Sequence, residues 1–189
     1  MMQRLIDEIK SIVDVSDTEV AAFTDSMETV IVPKGDYFLK EGQVSRRMGY
    51  IGRGLMMHYQ IHDGNECPTG FTKEYEWVAY LKSFTTGSPS DTSIRALEDT
   101  ELLVLTSETM ARVFELQPKF MAVRSFYTEQ FLVRTVEYLS DLANMKARDR
   151  YHKFVEQNPD LLNRIPQYLI AAYLGMKPQS LSRLRSPKR

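Results

Sequence analysis

Near its C-terminal end the 189-residue sequence reads Lys177-Pro178-Gln179-Ser180-Leu181-Ser182-Arg183-Leu184-Arg185, where every residue other than leucine or proline can donate a hydrogen bond. Glutamine pairs with adenine, arginine with guanine, and serine with phosphates or base edges, so this is the chemistry of a segment that reads duplex DNA. The preceding residues supply a way to hold such a segment. Ala171 is small where two helices must approach, Gly175 permits a sharp turn, and Ile170, Leu174, Leu181 and Leu184 would bind the pair together. Pro178 falls in the first turn of the second helix, where a missing N–H costs nothing. The pattern predicts a helix-turn-helix that places Lys177, Pro178, Gln179, Ser180, Ser182, Arg183 and Arg185 toward DNA. The competing reading is a structural helical hairpin with a polar face.

The charge distribution favours the first reading. The net charge of −1 by itself predicts no polyanionic partner. Residues 1–145, however, carry −8 and residues 146–189 carry +7. A basic module on an acidic body is the asymmetry expected where one end meets phosphates.

Other chemistry is sparse. His58, His62 and His152 are the only histidines. The first two, at i and i+4, would share one face of a strand, but a metal centre needs a fuller set of ligands, so no metal is assigned. The lone Cys67 excludes an intrachain disulfide, a four-thiolate iron–sulfur cluster and a thiolate zinc site, and it reads as a small buried hydrophobe. Met48, Met56 and Met57 read as core filling. No Ser/His/Asp order, glycine-rich phosphate loop or carboxylate pair stands out, so the chain is read as a non-enzyme with no catalytic residue and no cofactor.

The elements that must position the basic segment follow from periodicity. Met1–Val13 carries Leu5, Ile9, Ile12 and Val13 on one stripe beside Asp7 and Glu8, which predicts an amphipathic surface helix rather than a leader peptide. Short β-prone runs follow: Val30–Val32, Tyr37–Leu39, Met48–Ile51, Leu55–Ile61, Glu66–Phe71, Ser93–Leu97 and Leu102–Leu105. Turns at Gly35, Gly42, Gly52, Gly54 and Asp63-Gly64 separate them, and many short strands so spaced predict an antiparallel jelly roll. A helix over Glu108–Leu116 ends before Pro118, which opens a second helix running to about Leu142. That helix is apolar on more than one side, which predicts a second copy of the chain as partner through Phe120, Val123, Phe126, Tyr127, Phe131, Val136 and Leu139. A basic helix over Met145–Gln157 leads to the helix-turn-helix. The fold class is therefore α+β, divided into a β-roll sensory domain (1–116), a dimerisation helix (117–143) and a DNA-binding unit (144–189).

This order, and the residues Ile170 to Arg185 in particular, resemble the cyclic-AMP receptor/FNR superfamily of bacterial regulators. The resemblance implies that Lys177, Pro178, Gln179 and Arg183 contact bases and phosphates, that Gly35, Gly42, Gly52 and Gly54 are turn positions, and that Arg95-Ala96 ends a phosphate-binding segment. Members that bind cyclic nucleotide hold ribose with Gly-Glu and the cyclic phosphate with Arg-Ser. The matching positions here are Ala79-Tyr80 and Ser90-Asp91, so both key charges are missing and Asp91 would repel the anion. The effector pocket is assigned to Ala79, Tyr80, Ser90, Asp91 and Arg95, with cyclic nucleotide not expected in the familiar manner and the effector unidentified. The sequence ends a few residues past the recognition helix, so the family's C-terminal wing is expected to be absent or truncated, with Arg185, Lys188 and Arg189 taking over backbone contacts.

The expected protein is a cytoplasmic, dimeric, sequence-specific regulator of transcription. Its partners would be double-stranded DNA, a second copy of the chain and RNA polymerase, with no membrane. The alternatives are a ligand-binding or protein-interaction regulatory module without DNA binding, and a jelly-roll enzyme of the cupin kind.

Overall fold

The computed structural model describes residues 1–185. Two helices, α1 (Met2–Ile12) and α2 (Asp17–Thr24), precede the strands. Ser16 starts α2 with a capping box: its hydroxyl accepts from the Glu19 amide, and the Glu19 carboxylate accepts from the Ser16 amide. Eight strands follow: β1 (Glu28–Val32), β2 (Tyr37–Leu39), β3 (Arg47–Arg53), β4 (Met56–His62), β5 (Asn65–Thr72), β6 (Trp77–Val78), β7 (Ser93–Ala96) and β8 (Thr100–Thr106). They form two antiparallel sheets of order β1-β8-β3-β6 and β2-β7-β4-β5, the expected roll. The β4–β5 hairpin turns through Asp63 and Gly64, both at positive φ, the geometry that Asp-Gly favours.

Side-chain alternation on these strands divides residues among three cores. On β8, Leu102 and Val104 point between the sheets, where they meet Phe38, Ile51, Met56 and Ile94. Leu103 and Leu105 point the other way, beneath α1, α2 and the helices after the roll, where Leu5, Ile9, Phe23 and Phe120 complete a second core. On β4, Met56 faces the interior, whereas Met57 and Tyr59 face outward against the C-terminal helices. The layers therefore run helices, sheet, roll interior, sheet, helices. Strands buried on both faces lose the polar half of their pattern, which is why residues 102–105 read as a continuous apolar run.

The helical half comprises α4 (Ser107–Leu116), α5 (Met121–Asn144), α6 (Ala147–Gln157), α7 (Gln167–Tyr173) and α8 (Pro178–Arg185), with α3 (Leu81–Thr86) set between β6 and β7. Pro118 opens a 3-10 turn, Pro118–Phe120, before α5, so the long α-helix starts three residues later than expected. A second 3-10 turn, Pro159–Asn163, links α6 to α7.

Gly54 shapes the β3–β4 turn at φ +111°, and an added Cβ would lie 2.5 Å from Thr100 Oγ1 and 2.8 Å from the Asp99 carbonyl oxygen. Gly54→Ala is therefore expected to destabilise the protein by about 2 kcal/mol, from backbone strain and overpacking together. A urea titration of variant and wild type measures this, and an unchanged midpoint would refute it.

Candidate nucleic-acid interface and effector segment

Helices α7 and α8 pack through Leu169, Ile170, Ala171, Leu174 and Leu181, all buried. Gly175 adopts φ +64°, and the Met176 amide donates back to the Ala171 carbonyl at 2.9 Å, so the turn closes the end of α7 by backbone hydrogen bonds. The Lys177 carbonyl accepts from the amides of Ser180 and Leu181 at 2.9 and 3.2 Å, starting α8. Lys177, Pro178, Gln179, Ser180, Ser182, Arg183 and Arg185 are all exposed, while Leu181 is fully buried and Leu184 partly so. The seven residues picked out in the sequence thus share the solvent side of one short unit. Lys188 and Arg189 lie outside the described residues.

A second shell of polar contacts fixes this unit to its neighbours. Arg150 of α6 donates to the Leu174 carbonyl at 3.0 Å and to the Met145 carbonyl at 2.6 Å, tying the helix turn to the end of α5. Tyr138 of α5 stacks on Tyr173 of α7 with ring centroids 4.7 Å apart and donates its hydroxyl proton to the Tyr173 carbonyl. None of these links is visible in the local sequence.

The effector residues divide. Tyr80 packs its ring against the roll interior and donates to Asp91 Oδ1 at 2.5 Å. Lys82 adds an ion pair to the other carboxylate oxygen at 3.0 Å, and Gln60 and Thr92 also donate to Asp91. The Tyr80 hydroxyl, and then the Lys82 ammonium, hold the Asp91 carboxyl well below the usual carboxylate range. Ser90 is buried and donates to the Thr92 carbonyl; Ala79 is half-buried beside Tyr80 in the chain.

Arg95 does not join them. Its neighbours Ile94 and Ala96 fill the interior, so by strand alternation Arg95 stands on the outer face. There it forks onto Glu66 at 2.5 and 2.7 Å and lies over the Tyr59 ring. The five residues therefore do not form one pocket, and no local spacing marks Lys82 or Gln60 as partners of Asp91.

The dimerisation set also divides. Phe120 and Val123 are buried in their own chain, and Tyr127 packs beside them with its hydroxyl on Glu8 at 2.9 Å. These three belong to the chain's own core. Phe126, Phe131, Val136 and Leu139 stay exposed on α5, joined by Leu132 and Val133, which lie outside the expected dimerisation set.

His58 shares the interior face of β4 with Met56, its ring Nε2 2.8 Å from Thr72 Oγ1. His62 sits at the exposed hairpin end. Among the described residues no cluster of three or more His, Cys, Asp or Glu could hold a metal ion, and no helix is long and apolar enough to cross a membrane.

Residues 29–117 match the family model described as cyclic nucleotide-binding domain. None of the curated proteins matches the chain by sequence. The β-roll is thus similar to the cyclic nucleotide-binding domain over these residues. The fold of the longer chain is similar to that of the c-di-GMP responsive global regulator CLP of Xanthomonas campestris, with TM-score 0.71 and 16% identity over 89% of each chain. It is similar to FixK2 from Bradyrhizobium japonicum, with TM-score 0.71 and 15% identity over 84% of this chain and 82% of that one. The catabolite activator protein of Thermus thermophilus gives TM-score 0.57 and 21% identity over 90% of this chain and 82% of that one. Together these likenesses show that the roll and the helices after it share the fold of these structures over most of the chain.

Burial lowers the pKa of His58 to about 4 from its ordinary value near 6.5. A histidine with a depressed folded-state pKa stabilises the fold fully above its unfolded pKa, and that contribution is lost as pH falls from about 6.5 toward 4. Thermal melts at pH 7 and pH 5 should show a fall in Tm for the wild type and a smaller fall for His58→Gln; equal falls would remove His58 as the cause.

Proposed function

We propose that this chain is a dimeric, sequence-specific DNA-binding regulator of transcription. The observation that carries this reading is the exposed donor face of α8, mounted on a buried helix-turn-helix seam within a segment of +7 charge. The helix has the length and polarity to enter a major groove, with Gln179 and Arg183 one turn apart as base readers and Lys177 and Arg185 as phosphate partners.

The exposed stripe on α5 supports dimerisation. Phe131, Leu132, Val136 and Leu139 are between 56% and 59% exposed, an expensive arrangement for a helix in water. A twin helix covers such a stripe by two-fold symmetry, and two recognition helices about 34 Å apart then meet successive major grooves of a palindromic site. RNA polymerase is the partner that such a regulator reaches at a promoter, in the cytoplasm. No enzymatic step is assigned.

The β-roll does not hold cyclic nucleotide in the familiar manner on this reading. The donors around Asp91 are already directed at a carboxylate of the chain itself, and Arg95 is engaged by Glu66. A cyclic phosphate would meet the Asp91 charge with no arginine beside it.

Fluorescence anisotropy with a randomised duplex pool at low and moderate salt, followed by sequencing of the retained duplexes, tests the DNA reading. Wild type should retain a two-fold symmetric site, and Gln179→Ala/Arg183→Ala should bind it roughly a hundredfold more weakly. Affinity should fall steeply with salt as counterions are released. Salt-insensitive or absent binding would refute the reading and favour a protein-interaction module.

Sedimentation tests the second element. Wild type should sediment as a dimer, and Val136→Asp/Leu139→Asp as a folded monomer. A monomeric wild type at the concentration that binds DNA would overturn the α5 interface.

A further inference from the structure

The helix-turn-helix is fastened to the roll at a point far from its covalent tether. The apolar part of this contact lies on the outer face of the β4–β5 sheet, where Leu55, Met57 and Phe71 meet Leu161, Leu169 and Ile170. At its edge stands Arg164, three residues before α7. Its guanidinium donates from Nε to Glu98 Oε1 at 2.9 Å and from Nη2 to Glu98 Oε2 at 2.7 Å. It also donates to Glu74 Oε2 and Oε1 at 3.0 and 2.7 Å, and to the Gly54 carbonyl at 3.2 Å.

Glu74 in turn accepts from the Gly54 amide at 3.0 Å. Lys73 pairs with Asp160 at 2.9 Å beside them. One side chain of the helical unit thus gathers the β3–β4, β5–β6 and β7–β8 connections at a single end of the roll. The side chains of Arg164, Glu74 and Glu98 are only 23%, 26% and 33% exposed, so solvent screens this cluster less than an ordinary surface pair.

We infer that Arg164 is a positioning residue for DNA recognition: it fixes the helix-turn-helix on the roll and so sets the distance between the two recognition helices of the dimer. The inference rests on the DNA-binding, dimeric reading above. The geometric reason is that a rigid body needs more than one attachment to hold an orientation. The first attachment is the break at Met145, between α5 and α6, which leaves the helical regime at φ −95° and ψ 147°. Arg150 and the Tyr138–Tyr173 stack hold the unit near that break, and the Arg164 fork holds it at the far edge, gripping the segment that leads directly into α7, against which α8 packs. With the fork removed, the unit keeps its core, its recognition face, the apolar seam and the Arg150 and Tyr138 contacts near Met145, but loses the directional grip at the far edge that fixes its orientation on the roll.

The fork also has a specific input. The Gly54 carbonyl and Leu55 lead directly into β4, whose inward face carries Met56 and His58 in the roll interior. Any rearrangement of the interior that shifts the start of β4 therefore moves one of the groups that Arg164 holds.

The test uses the full chain and the inverted repeat that wild type retains from the random pool, together with versions whose half-sites are moved apart or together by one and two base pairs. Wild type should discriminate sharply between spacings. Arg164→Ala should lose about tenfold of that discrimination, the scale of a lost charged hydrogen bond, while its affinity for an isolated half-site stays unchanged. Because Arg164→Ala leaves Glu74 and Glu98 facing each other, Arg164→Lys serves as the second variant. It keeps the charge without the fork and should fall between the two.

Nitrogen-15 relaxation of the free proteins gives a readout independent of DNA: one correlation time for roll and helical unit in wild type, two in Arg164→Ala. Full spacing discrimination with a single correlation time in both variants would overturn the inference. If wild type retains no duplex, the DNA reading falls and the spacing role with it, while the relaxation comparison alone decides whether Arg164 couples the two parts.

Discussion

β8 and the first half of β4, residues 56–59, are packed on both faces, and the rest of the architecture follows from that burial. A half-buried strand needs one apolar side; β8 needs both, and it spends Leu102 and Val104 on the roll interior and Leu103 and Leu105 on the helical layer. β4 does the same for the opposite sheet, with Met56 inside and Met57 and Tyr59 outside. The helices are thus not appendages to a finished roll. They supply the second surface that each sheet requires, and the roll supplies theirs in return. A helix-turn-helix this short could not bury enough apolar area alone; leaning on a sheet gives it a shared core.

Polar groups at the edges of these apolar contacts then choose orientation. Apolar packing is non-directional and tolerates sliding, whereas a planar guanidinium between two carboxylates does not. Arg164 performs this task between Glu74 and Glu98, and Arg150 fixes the other end with donors to the Leu174 and Met145 backbone carbonyls. Asp91 uses the same logic inside the roll segment, where a carboxylate satisfies the donors of Tyr80 and Lys82. At Arg164 and at Asp91 the charge is met by groups of the chain itself.

Much of the fold is legible in the sequence because its determinants are local. Turn residues with positive φ, Asp63 and Gly64 above all, bound the strands, and Gly175 marks the helix turn. The Ser16-x-x-Glu19 capping box that starts α2 is an equally local signal. β6 has only two residues, too few for any periodicity to register. What the sequence could not display is partnership over distance. Arg164 lies 66 residues from Glu98 and 90 from Glu74, and no spacing rule connects them. The two faces of α5 failed for a related reason: Val123 and Val136 are the same residue type, and only the rotation of the helix against its own roll decides which is core and which is open. Strand alternation could have predicted that Arg95 points outward, since Ile94 and Ala96 flank it.

The sequence holds one tryptophan, Trp77, and its position gives it a further use. Its ring meets Tyr50 of β3 edge-on at 5.3 Å and Tyr127 of α5 at 6.0 Å, and its indole N–H is buried. Both tyrosine hydroxyls donate to Glu8 of α1 at 2.9 Å, so N-terminal helix, sheet and long helix converge on this fluorophore. The protein thereby carries its own optical gauge. A tilt of α5 against the roll admits water to this buried indole N–H, so the colour of its emission follows that tilt with no dye attached.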